Sequence, residues 1–413
     1  MLEGVNVALA VSGSVAAVKT VELAHELRRQ GASVRAVMSE SATNIVHPWA
    51  VDFATDEPVV TEITGAVEHV ELCGRDGWAD VLVCAPATAN TVGKIAAAVD
   101  DTPITTCATT ALGADLPVVV VPAMHEPMYD HPGVLDAIDR VESWGVEFVD
   151  PRIEEGKAKI ATEDAVVTGV ARATTPDPLA GESVVVTAGA TAEAVDPIRV
   201  LTNRSSGRTG RAVARSCHVR GADVTLVHGT HGAGAELDPE AVHYADLRAV
   251  ESAAEMLDAT QVACDGADAL VSTAAVADYT VEAADEKIRS GQELTLSLSA
   301  TPKLIDEVAA AYPDLAVVAF KAETEGDDAA MVDRAAATRD RVGCAFVVAN
   351  DASVMGETES RALLVGSDHG DGDREEDGDG DREVDEVEAF EGSKTALGAR
   401  VADELADALA TAE

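Results

Sequence analysis

Short apolar runs alternate with helical stretches along most of this chain, and this alternation is what most restricts its fold. The apolar runs of the first half lie at residues 5–11, 33–38, 81–85 and 117–121. The helical stretches between them lie at residues 15–29, 90–99 and 131–144. The runs at 81–85 and 117–121 are wholly apolar, which is typical of parallel strands that are buried on both faces. The pattern therefore predicts an open parallel sheet that is covered by helices.

The same strand–helix pattern restarts in the second half, after a short linker. Residues 174–180 (TTPDPLA) combine prolines with small polar residues, which interrupt regular structure. A chain of 413 residues suits two cores better than one, so we expect domains at 1–173 and 181–413. The predicted fold class is α/β, with two doubly wound parallel-sheet domains. Elements of the second domain are predicted as strands at 183–187, 223–227, 269–272, 316–319 and 345–349 and a helix at 207–220.

Acidic side chains dominate the composition and exclude some partners. The chain has 74 Asp and Glu residues against 30 Lys and Arg residues, and its formal net charge is −44. A nucleic acid is not expected as a partner, because its phosphates would be repelled. Adaptation to concentrated salt, which screens self-repulsion, fits a charge that is spread along the whole chain. An acidic surface made for a basic partner is the alternative.

One acidic segment near the end of the chain is too polar to belong to the hydrophobic core of either domain. Residues 367–391 are rich in Asp, Glu and Gly, and such a composition cannot bury enough apolar surface to fold. We predict a solvated surface loop there, followed by a helix at 394–409. A functional acidic segment is the alternative.

The cysteines indicate a reduced protein. Cys73, Cys84, Cys107, Cys217, Cys264 and Cys344 form no CxxC pair and show no zinc-ligand spacing with histidine. Buried thiols in a cytoplasmic protein are the expectation. The first apolar run has no basic leader and no run is long enough to span a bilayer, so we predict neither a signal peptide nor a membrane segment.

Small polar residues follow several strands of the first domain. Ser12-Gly13-Ser14 connects the first strand to the first helix, and Ser39 follows the second strand. Such residues can bind an anion at a helix N-terminus, and open α/β sheets bind ligands at the carboxyl ends of their strands. Two more loops, 85–91 (APATANT) and 121–129 (VPAMHEPMY), are expected to share that cleft. An isolated histidine is usually structural, so His69 is a candidate acid–base group only because these loops are expected to share a cleft with it.

Together these motifs resemble the flavin-dependent cysteine decarboxylases. They resemble in particular the decarboxylase half of the bifunctional phosphopantothenoylcysteine decarboxylase/phosphopantothenate–cysteine ligase family of coenzyme A biosynthesis, over residues 3–165. The resemblance implies a flavodoxin-like domain with bound FMN, in which His69 is catalytic and Asn90 contacts substrate or flavin. It places Met124 and His125 at the substrate. The residues that it assigns to the cofactor are Ser12, Gly13, Ser14, Ser39, Thr88 and Asn90.

A flavin makes this decarboxylation chemically accessible. Loss of carbon dioxide from a plain acylcysteine would leave an unstabilised carbanion. Oxidation of the thiol to a thioaldehyde places an electron sink beside the carboxylate, and the reduced flavin later returns the hydride. His69 would be the acid–base group.

Two features of the first domain depart from the family's pattern. The family has an asparagine that binds the substrate carboxylate where this chain has His125, whose imidazole can also donate a hydrogen bond. Many members carry a cysteine on a flap that protonates the reduced intermediate, and residues 154–160 (EEGKAKI) contain none. Lys157 or Lys159 is the alternative proton donor.

A second set of motifs lies in the second domain. Residues 187–191 (TAGAT) end a strand, and 202–210 (TNRSSGRTG) open the following helix. Donors at Ser206 and Gly207 suit a phosphate, although Ser-Ser-Gly alone is an ordinary helix N-cap. Further segments follow in order at 272–279 (STAAVADY), 287–288 (KI), 319–324 (AFKAET) and 348–351 (VAND).

This ordered series resembles the ligase half of the same family, over residues 181–410. The resemblance implies a Rossmann-like domain in which a nucleotide, usually CTP, activates 4′-phosphopantothenate as an acyl-nucleotidyl anhydride. The amine of cysteine then displaces the nucleotide, and Mg²⁺ and cationic side chains must neutralise the triphosphate. Asn203 and Lys287 would act on the acyl intermediate. The nucleotide would contact Ser206, Gly207, Ala274, Asp278, Lys287, Thr301, Pro302 and Phe320.

The cations on one helix differ from the family's pattern. Members often have two lysines on the helix before the Asn-Asp pair, whereas residues 337–342 read ATRDRV. Arg339 or Arg341 would take over phosphate binding, and Lys321 would add a charge. The preference for CTP over ATP and the metal ligands stay open at this point.

Other functions are compatible with parts of the pattern. One is a ligase with a degenerate flavin-binding domain, and another is a flavin-binding regulatory subunit, which predicts loss of His69 or Asn90. A nicotinamide-dependent oxidoreductase is disfavoured, because neither half has GxGxxG followed by a ribose-binding acid. In the family, decarboxylase subunits form trimers with flavin sites between them and ligase domains form dimers. The resemblance thus implies a cytoplasmic homo-oligomer.

Overall fold

A computed structural model describes residues 1–154, 157–232, 237–291, 293–323, 327–351, 359–366 and 386–412. The chain divides into two compact units, Met1–Pro176 and Asp177–Glu413. Each unit has a sheet and a hydrophobic core of its own.

Parallel strands form the centre of the first unit. The strands are β1 Asn6–Val11, β2 Ser33–Met38, β3 Val81–Ala87, β4 Val118–Pro122, β5 Met124–His125, β6 Glu147–Phe148, β7 Arg152–Glu154 and β8 Lys157–Lys159. The main sheet has the order β2-β1-β3-β4-β6, and its strands pair in parallel. Every residue of β3 and β4 is buried, as expected for strands covered on both faces. A small antiparallel sheet has the order β5-β8-β7.

Helices cover this sheet and begin at side chains that cap them. The helices are α1 Thr20–Arg29, α2 Glu40–Thr43, α3 Pro48–Thr55, α4 Glu68–Cys73, α5 Ala89–Ala96, α6 Pro103–Gly113, α7 Glu126–Tyr129, α8 Pro132–Glu142 and α9 Glu163–Thr174. A 3₁₀ helix at Val15–Lys19 precedes α1. The hydroxyls of Thr88, Thr102 and Thr162 accept hydrogen bonds from backbone N–H groups in the first turns of α5, α6 and α9. These caps fix where each helix begins relative to the preceding loop.

The second unit contains a larger, mixed sheet. Its strands are β9 Ser183–Ala190, β10 Ala192–Ala194, β11 Val200–Thr202, β12 Asp223–Thr230, β13 Asp246–Val250, β14 Ala269–Ser272, β15 Tyr279–Val281, β16 Leu298–Ala300, β17 Ala316–Glu323, β18 Phe346–Asp351, β19 Glu359–Gly366 and β20 Glu386–Ser393. The main sheet has the order β13-β12-β9-β14-β17-β18-β19-β20. Its pairs are parallel from β13 to β18, which confirms the predicted α/β class. The pairs β18–β19 and β19–β20 are antiparallel.

Two helical layers enclose this mixed sheet. The helices are α10 Arg208–Val219, α11 Ala253–Cys264, α12 Leu304–Ala311, α13 Asp328–Val342 and α14 Lys394–Ala412, with a 3₁₀ helix at Pro239–Val242. One core lies between the sheet and the helices α10 and α14, and includes Val213 and Leu397. The other lies on the opposite face and includes Met256 and Met331.

The acidic segment was predicted with the wrong boundary. We predicted a loop over residues 367–391, but residues 386–391 belong to β20, which pairs along its whole length with β19. The strand escaped prediction because its glutamates extend the acidic run, although Val387, Ala389 and Phe390 interrupt it. Residues 367–385 lie outside the described part of the chain.

The cysteines are buried in the structure, as expected. The six cysteines, all within the described ranges, are free and buried. Burial raises the pKa of Cys217 and Cys264 to about 12, so these thiols stay protonated. Within the described ranges, no helix is long and apolar enough to cross a membrane.

Salt should stabilise this protein. Acidic residues outnumber cationic ones by 74 to 30, so most of them have no cation to pair with and repel one another. Raising KCl from about 0.1 M to about 1 M shortens the screening length from about 10 Å to about 3 Å. We expect the melting temperature, followed by circular dichroism, to rise by several degrees. Sucrose at equal osmolality is the uncharged control, and a melting temperature that falls with KCl would contradict salt adaptation.

Candidate active sites

The predicted residues of the first unit lie at one edge of its sheet. Ser39, Ser12 and Thr88 directly follow β2, β1 and β3, and Met124 lies just after β4. These four strands are neighbours in the sheet and run in the same direction. The fold therefore brings four separate segments of the sequence to the carboxyl edge, where open α/β sheets bind ligands.

Serine hydroxyls connect these strand ends to one another. The Ser12 hydroxyl donates to the carbonyl oxygen of Pro86 at 2.7 Å and accepts from the backbone N–H of Thr88 at 3.2 Å. The Ser14 hydroxyl donates to the carbonyl oxygen of Ala123 at 3.2 Å. The loops after β1, β3 and β4 are thereby held as one rigid group.

Two of the predicted cofactor contacts are buried and make hydrogen bonds within the chain. Ser12 and Ser39 are buried, and the Ser39 hydroxyl caps α2 through the N–H of Ala42 and contacts the Ser41 hydroxyl at 3.0 Å. Their side chains thus hold the loops in place from behind. Gly13 and Ser14, in the loop after β1, are half-buried and remain partly accessible to solvent.

The remaining predicted residues of this edge are accessible. Thr88 is half-buried and caps α5, whereas Asn90, in the first turn of α5, is exposed. Met124 is half-buried and His125 is exposed. Their strand, β5, pairs with β8 so that His125 is in register with Lys157. Of the region predicted as a flap, Lys157–Lys159 therefore lies beside His125 as part of a small sheet.

His69 has an unusual buried nitrogen. It lies on the short helix α4, which packs chiefly against α6. Among the described residues and within this chain, Nδ1 of His69 is buried without a hydrogen-bond partner. A buried polar atom without a partner is costly, so a group outside the described chain is expected to satisfy it. Within the described residues, Nδ1 of His69 therefore makes no hydrogen bond to the strand-end loops.

In the second unit, a cavity of about 560 Å³ lies at the carboxyl ends of the strands. Three segments line it, at residues 201–210, 273–279 and 320–322, together with Asn350 and Lys394. The predicted residues Asn203, Ser206, Gly207, Ala274, Asp278 and Phe320 are all among the lining residues. The structure thus brings together residues that are far apart in the sequence.

The N-terminus of α10 forms one wall of this cavity. Gly207 caps the helix in the left-handed region, with φ of 70°. An ideal Cβ atom on Gly210 would lie only 2.5 Å from the Cβ atom of Ala188, so only glycine permits this approach of the helix to β9. The unpaired N–H groups of the first helical turn are consequently placed in the wall, where they suit an anion.

Asn203 joins two walls of the cavity. Its side-chain Nδ2 donates to the carbonyl oxygen of Ala275 at 2.6 Å, and its Oδ1 accepts from the N–H of Ser205 at 3.0 Å. These bonds leave one amide hydrogen for a ligand. The residue therefore shapes the site and retains one donor.

Four cationic side chains line the cavity among the described residues. They are Arg204, Arg208, Lys321 and Lys394, and the acidic side chain among the lining residues is Asp278. Of these cations, our sequence prediction included Lys321 alone. Arg208 directly follows Ser-Ser-Gly, and this position could have indicated it. Lys394 had no such signal, because only the packing of α14 against α10 brings it here.

Arg339 and Arg341 do not take the place predicted for them. Arg339 is buried, and its guanidinium donates to Asp340 and to the carbonyl oxygen of Gly366. Arg341 pairs with Asp306. Neither arginine lines the cavity. Their positions on α13 direct them to other partners. Lys321 on β17 is among the lining residues, and its ammonium donates to the carbonyl oxygen of Arg334 at 3.3 Å and to the Thr338 hydroxyl at 3.4 Å.

Three other predicted residues lie outside the lining. Thr301 is behind the wall, where its hydroxyl donates to the carbonyl oxygen of Ala277 at 2.5 Å and its N–H to that of Asp278 at 3.0 Å. Pro302 follows it and does not line the cavity. Lys287 is exposed and also lies outside the cavity.

Asp196 is a residue whose role the sequence did not reveal. Its buried carboxylate accepts from the N–H groups of Ile198 at 2.9 Å, Arg199 at 2.8 Å and Ile288 at 3.0 Å. Burial raises the pKa of Asp196, but these N–H groups and the Arg199 guanidinium outweigh it and lower the pKa to about 2. The Arg199 guanidinium also donates to the carbonyl oxygen of Ile288 at 3.0 Å. The segment that carries Lys287 is therefore fastened to residues 196–199.

No metal ligands are assigned by the geometry. Among the described residues, no group of three or more His, Cys, Asp or Glu side chains could hold a metal ion.

These features define a class of protein: a two-domain α/β protein with a separate ligand site at the strand ends of each domain. A flavoprotein family profile matches residues 1–175, and the profile described as DNA/pantothenate metabolism flavoprotein C-terminal domain matches residues 179–377. The chain is 47% identical over 371 residues to the coenzyme A biosynthesis bifunctional protein CoaBC of Thermococcus kodakarensis, covering 89% of this chain and 90% of the relative.

Two further comparisons concern one relative in sequence and one solved structure. The chain is 34% identical over 342 residues to the CoaBC protein of Bacillus subtilis, covering 79% of this chain and 81% of that relative. A crystal structure of the C-terminal domain of a CoaBC protein has a TM-score of 0.45 at 24% identity, covering 57% of this chain and 99% of that chain. By its relatives, the chain belongs to the CoaBC family of bifunctional coenzyme A biosynthesis proteins. The predicted family is confirmed, and with it the enzyme class, a decarboxylase joined to a ligase.

Replacing Asp196 should loosen the segment that carries Lys287. In Asp196→Asn, the amide NH₂ group cannot accept the hydrogen bonds that one carboxylate oxygen now accepts. We expect the ligase kcat/KM to fall between about 10-fold and about 100-fold, as small misplacements of active-site groups do. Because the folded-state pKa is lowered, the stability difference from the parent should be largest at neutral pH and shrink as the pH falls towards 2.

The matched control is Asp246→Asn, an exposed acid of the same unit. Activity and urea unfolding would be measured for both variants and the parent. Parental ligase activity together with a parental unfolding midpoint in Asp196→Asn would refute the role given to this carboxylate.

Proposed function

We propose that the second unit ligates cysteine to 4′-phosphopantothenate with CTP, and that the first unit then decarboxylates the product with FMN to give 4′-phosphopantetheine. The observation that carries the ligase proposal is the cationic cavity at the N-terminus of α10. Its four cations, within the described residues, belong to a chain with 30 Lys and Arg residues and a net charge of −44.

Charge and size favour a nucleoside triphosphate in this cavity. Arg204, Arg208, Lys321 and Lys394 would oppose the negative charge of three phosphates, and the N-terminus of α10 adds backbone donors. The volume of about 560 Å³ is in the range of small-molecule sites, which is about 300–1,000 Å³. An acidic surface elsewhere would discourage anions from binding outside this cavity.

The proposed ligation proceeds in two balanced steps. An oxygen of the phosphopantothenate carboxylate attacks the α-phosphorus of CTP, and pyrophosphate leaves. The amine of cysteine then attacks the acyl carbon, loses a proton and expels CMP. We assign to Arg204 and Arg208 the stabilisation of the phosphates, and to Asn203 a hydrogen bond from its remaining amide hydrogen to the acyl group.

Other parts of the nucleotide proposal rest on the family alone. Lys287 is proposed to act on the acyl intermediate from a segment that is fastened at Asp196. Mg²⁺ would neutralise further charge on the phosphates. CTP is proposed over ATP because it is the usual nucleotide of the family, and assays with each nucleotide separate the two.

We propose that the strand-end loops of the first unit hold the phosphate of a flavin. Gly13 is closely covered, since an ideal Cβ atom there would lie 2.5 Å from the Cβ atom of Ser41. Gly13, Ser14, Thr88 and Asn90 would hold the cofactor, with Ser12 and Ser39 keeping the loops in place. FMN, when bound, supplies the redox chemistry that makes decarboxylation of the cysteine carboxylate accessible.

The residues of this unit would bind the substrate and move protons. His125 is exposed and would donate a hydrogen bond to the substrate carboxylate, beside Met124. His69, whose Nδ1 has no partner within the described chain, would exchange a proton with the substrate. A lysine of β8 would replace the flap cysteine of other members as a proton donor, because β8 lies in register beside His125.

Exposed apolar side chains support a homo-oligomer. Trp49 and Phe53 are 78% and 77% exposed, and both lie on one face of α3. Val15, at the strand-end edge, is 81% exposed. We propose that copies of the first unit assemble through such surfaces as trimers, which would complete the site around His69, and that second units pair as dimers. With free thiols throughout the described chain, the enzyme is proposed to act in the cytoplasm.

His69→Asn should separate the two activities. Loss of the acid–base group is expected to lower carbon dioxide release by about 100-fold or more. The ligase reaction should keep its parental rate, because His69 belongs to the other unit. The purified parent should also show the visible absorption band of a flavin. His131→Asn, an exposed histidine of the same unit, is the control. Parental decarboxylation by His69→Asn would overturn the assignment.

Pyrophosphate release should report the ligase site directly. The parent is expected to release pyrophosphate from CTP only when phosphopantothenate is present, and to turn over repeatedly only with cysteine. Arg208→Met removes a phosphate-facing cation and should raise the KM for CTP by about tenfold. Arg248→Met, which lies outside the cavity, is the matched control. An unchanged KM in Arg208→Met would refute the proposed position of the phosphates.

A further inference from the structure

A buried imidazole lies against the turn that opens α10, next to the cavity of the second unit. His228, on β12, is 3% exposed, and its ring lies against both Gly189 and Gly207. An ideal Cβ atom would lie 2.8 Å from Cε1 of His228 if placed on Gly189, and 2.9 Å if placed on Gly207. Both glycines have a positive φ, of 79° and 70°. The ring therefore fills the space between the end of β9 and the turn that opens α10.

The hydrogen bonds of this ring have a defined direction. Nδ1 of His228 lies 2.8 Å from the carbonyl oxygen of Gly229, which can only accept, so Nδ1 carries the proton. Nε2 of a neutral ring is then an acceptor, and Nη1 of Arg211 donates to it at 2.8 Å. Burial and the neighbouring Arg211 lower the pKa of His228 to about 4, which keeps the ring neutral near pH 7.

The same guanidinium nitrogen also holds the turn. Nη1 of Arg211 donates its second hydrogen to the carbonyl oxygen of Ser206 at 3.1 Å. The backbone of Arg211 is fixed as well, because its N–H donates to the carbonyl oxygen of Gly207 at 3.0 Å and its carbonyl oxygen accepts from the Tyr244 hydroxyl at 3.1 Å. One chain of hydrogen bonds thus runs from β12 to the cavity wall.

We propose that His228 and Arg211 are positioning residues for nucleotide binding, which hold the turn at Ser206 and Gly207 so that the first N–H groups of α10 face the triphosphate. The inference rests on the proposed function of the second unit. Ser206 and Gly207 line the cavity, whereas His228 and Arg211 do not. The pair therefore acts on the ligand only through the turn.

An apolar residue of similar size at position 228 would fill the space but could not accept the hydrogen bond from Arg211. With leucine at position 228, Nη1 of Arg211 loses a buried acceptor, and the guanidinium no longer has one fixed position from which to hold Ser206. The helix and sheet would remain, because the other contacts of α10 are with α14, β9 and β12. The expected consequence is weaker binding of the nucleotide with little change in the chemical step.

The test compares KM for CTP with kcat in the pyrophosphate-release assay. His228→Leu and Arg211→Met are each expected to raise the KM for CTP by about tenfold and to change kcat by less than about threefold. His228→Gln, whose side-chain amide oxygen can accept near the position of Nε2, should restore most of the affinity. The double variant His228→Leu/Arg211→Met should be no worse than either single variant, because the pair acts as a unit.

Matched controls distinguish this role from general stability. His243→Leu and Arg248→Met make the same changes at an exposed histidine and at an arginine outside the cavity. A merely structural role would lower kcat through a smaller folded fraction and leave KM unchanged, and that result would overturn the inference. If His228→Leu does not fold, Arg211→Met and His228→Gln carry the same test.

Pyrophosphate release by the parent and the KM of the variants tell apart a failure of this inference from a failure of the proposed function. A parent that releases pyrophosphate from CTP, with variants that keep the parental KM, overturns the inference alone. A parent that releases none from CTP or ATP in the presence of both substrates overturns the proposed function and the inference with it.

Discussion

The second unit depends on how closely the start of α10 approaches the strand ends beneath it. Gly210 leaves no room for a Cβ atom between the helix and Ala188, and Gly207 gives the turn its left-handed conformation. This approach lets the unpaired N–H groups of the helix take part in the cavity wall, together with the ends of β14 and β17. The same turn places Arg204 and Arg208 among the residues that line the cavity.

The loops at the strand ends are held together by different hydrogen bonds in the two units. In the first, hydroxyls of Ser12 and Ser14 tie the loops after neighbouring strands to each other's backbone. In the second, longer polar side chains do so, with Asn203 joining its turn to Ala275 and Asp196 collecting three backbone N–H groups. In both, the polar residues at the strand ends are supported by hydrogen bonds to the backbone of neighbouring loops.

Local patterns in the sequence predicted what depends on local structure. The apolar runs predicted β1 to β4 of the first sheet and β9, β12, β14, β17 and β18 of the second, but missed β6, β13 and β19. The strand-end motifs fall at one edge of each sheet because parallel strands end together. These patterns could not predict the antiparallel strand β20, whose glutamates match the acidic run before it, nor the place of Lys394, which depends on the packing of α14. Arg339 and Arg341 were misplaced because composition alone does not tell which face of α13 looks towards the cavity.

The pairing of β19 with β20 has a practical consequence. Gly366 and Glu386 are partners in this ladder, so the two ends of the acidic insertion meet at one point at the edge of the sheet. A chain that leaves and re-enters a sheet through neighbouring residues can change in length without altering the register on either side. Lys394 would keep its place in the cavity whatever the insertion contains, which makes this point suitable for shortening the chain or for grafting a tag or a second domain.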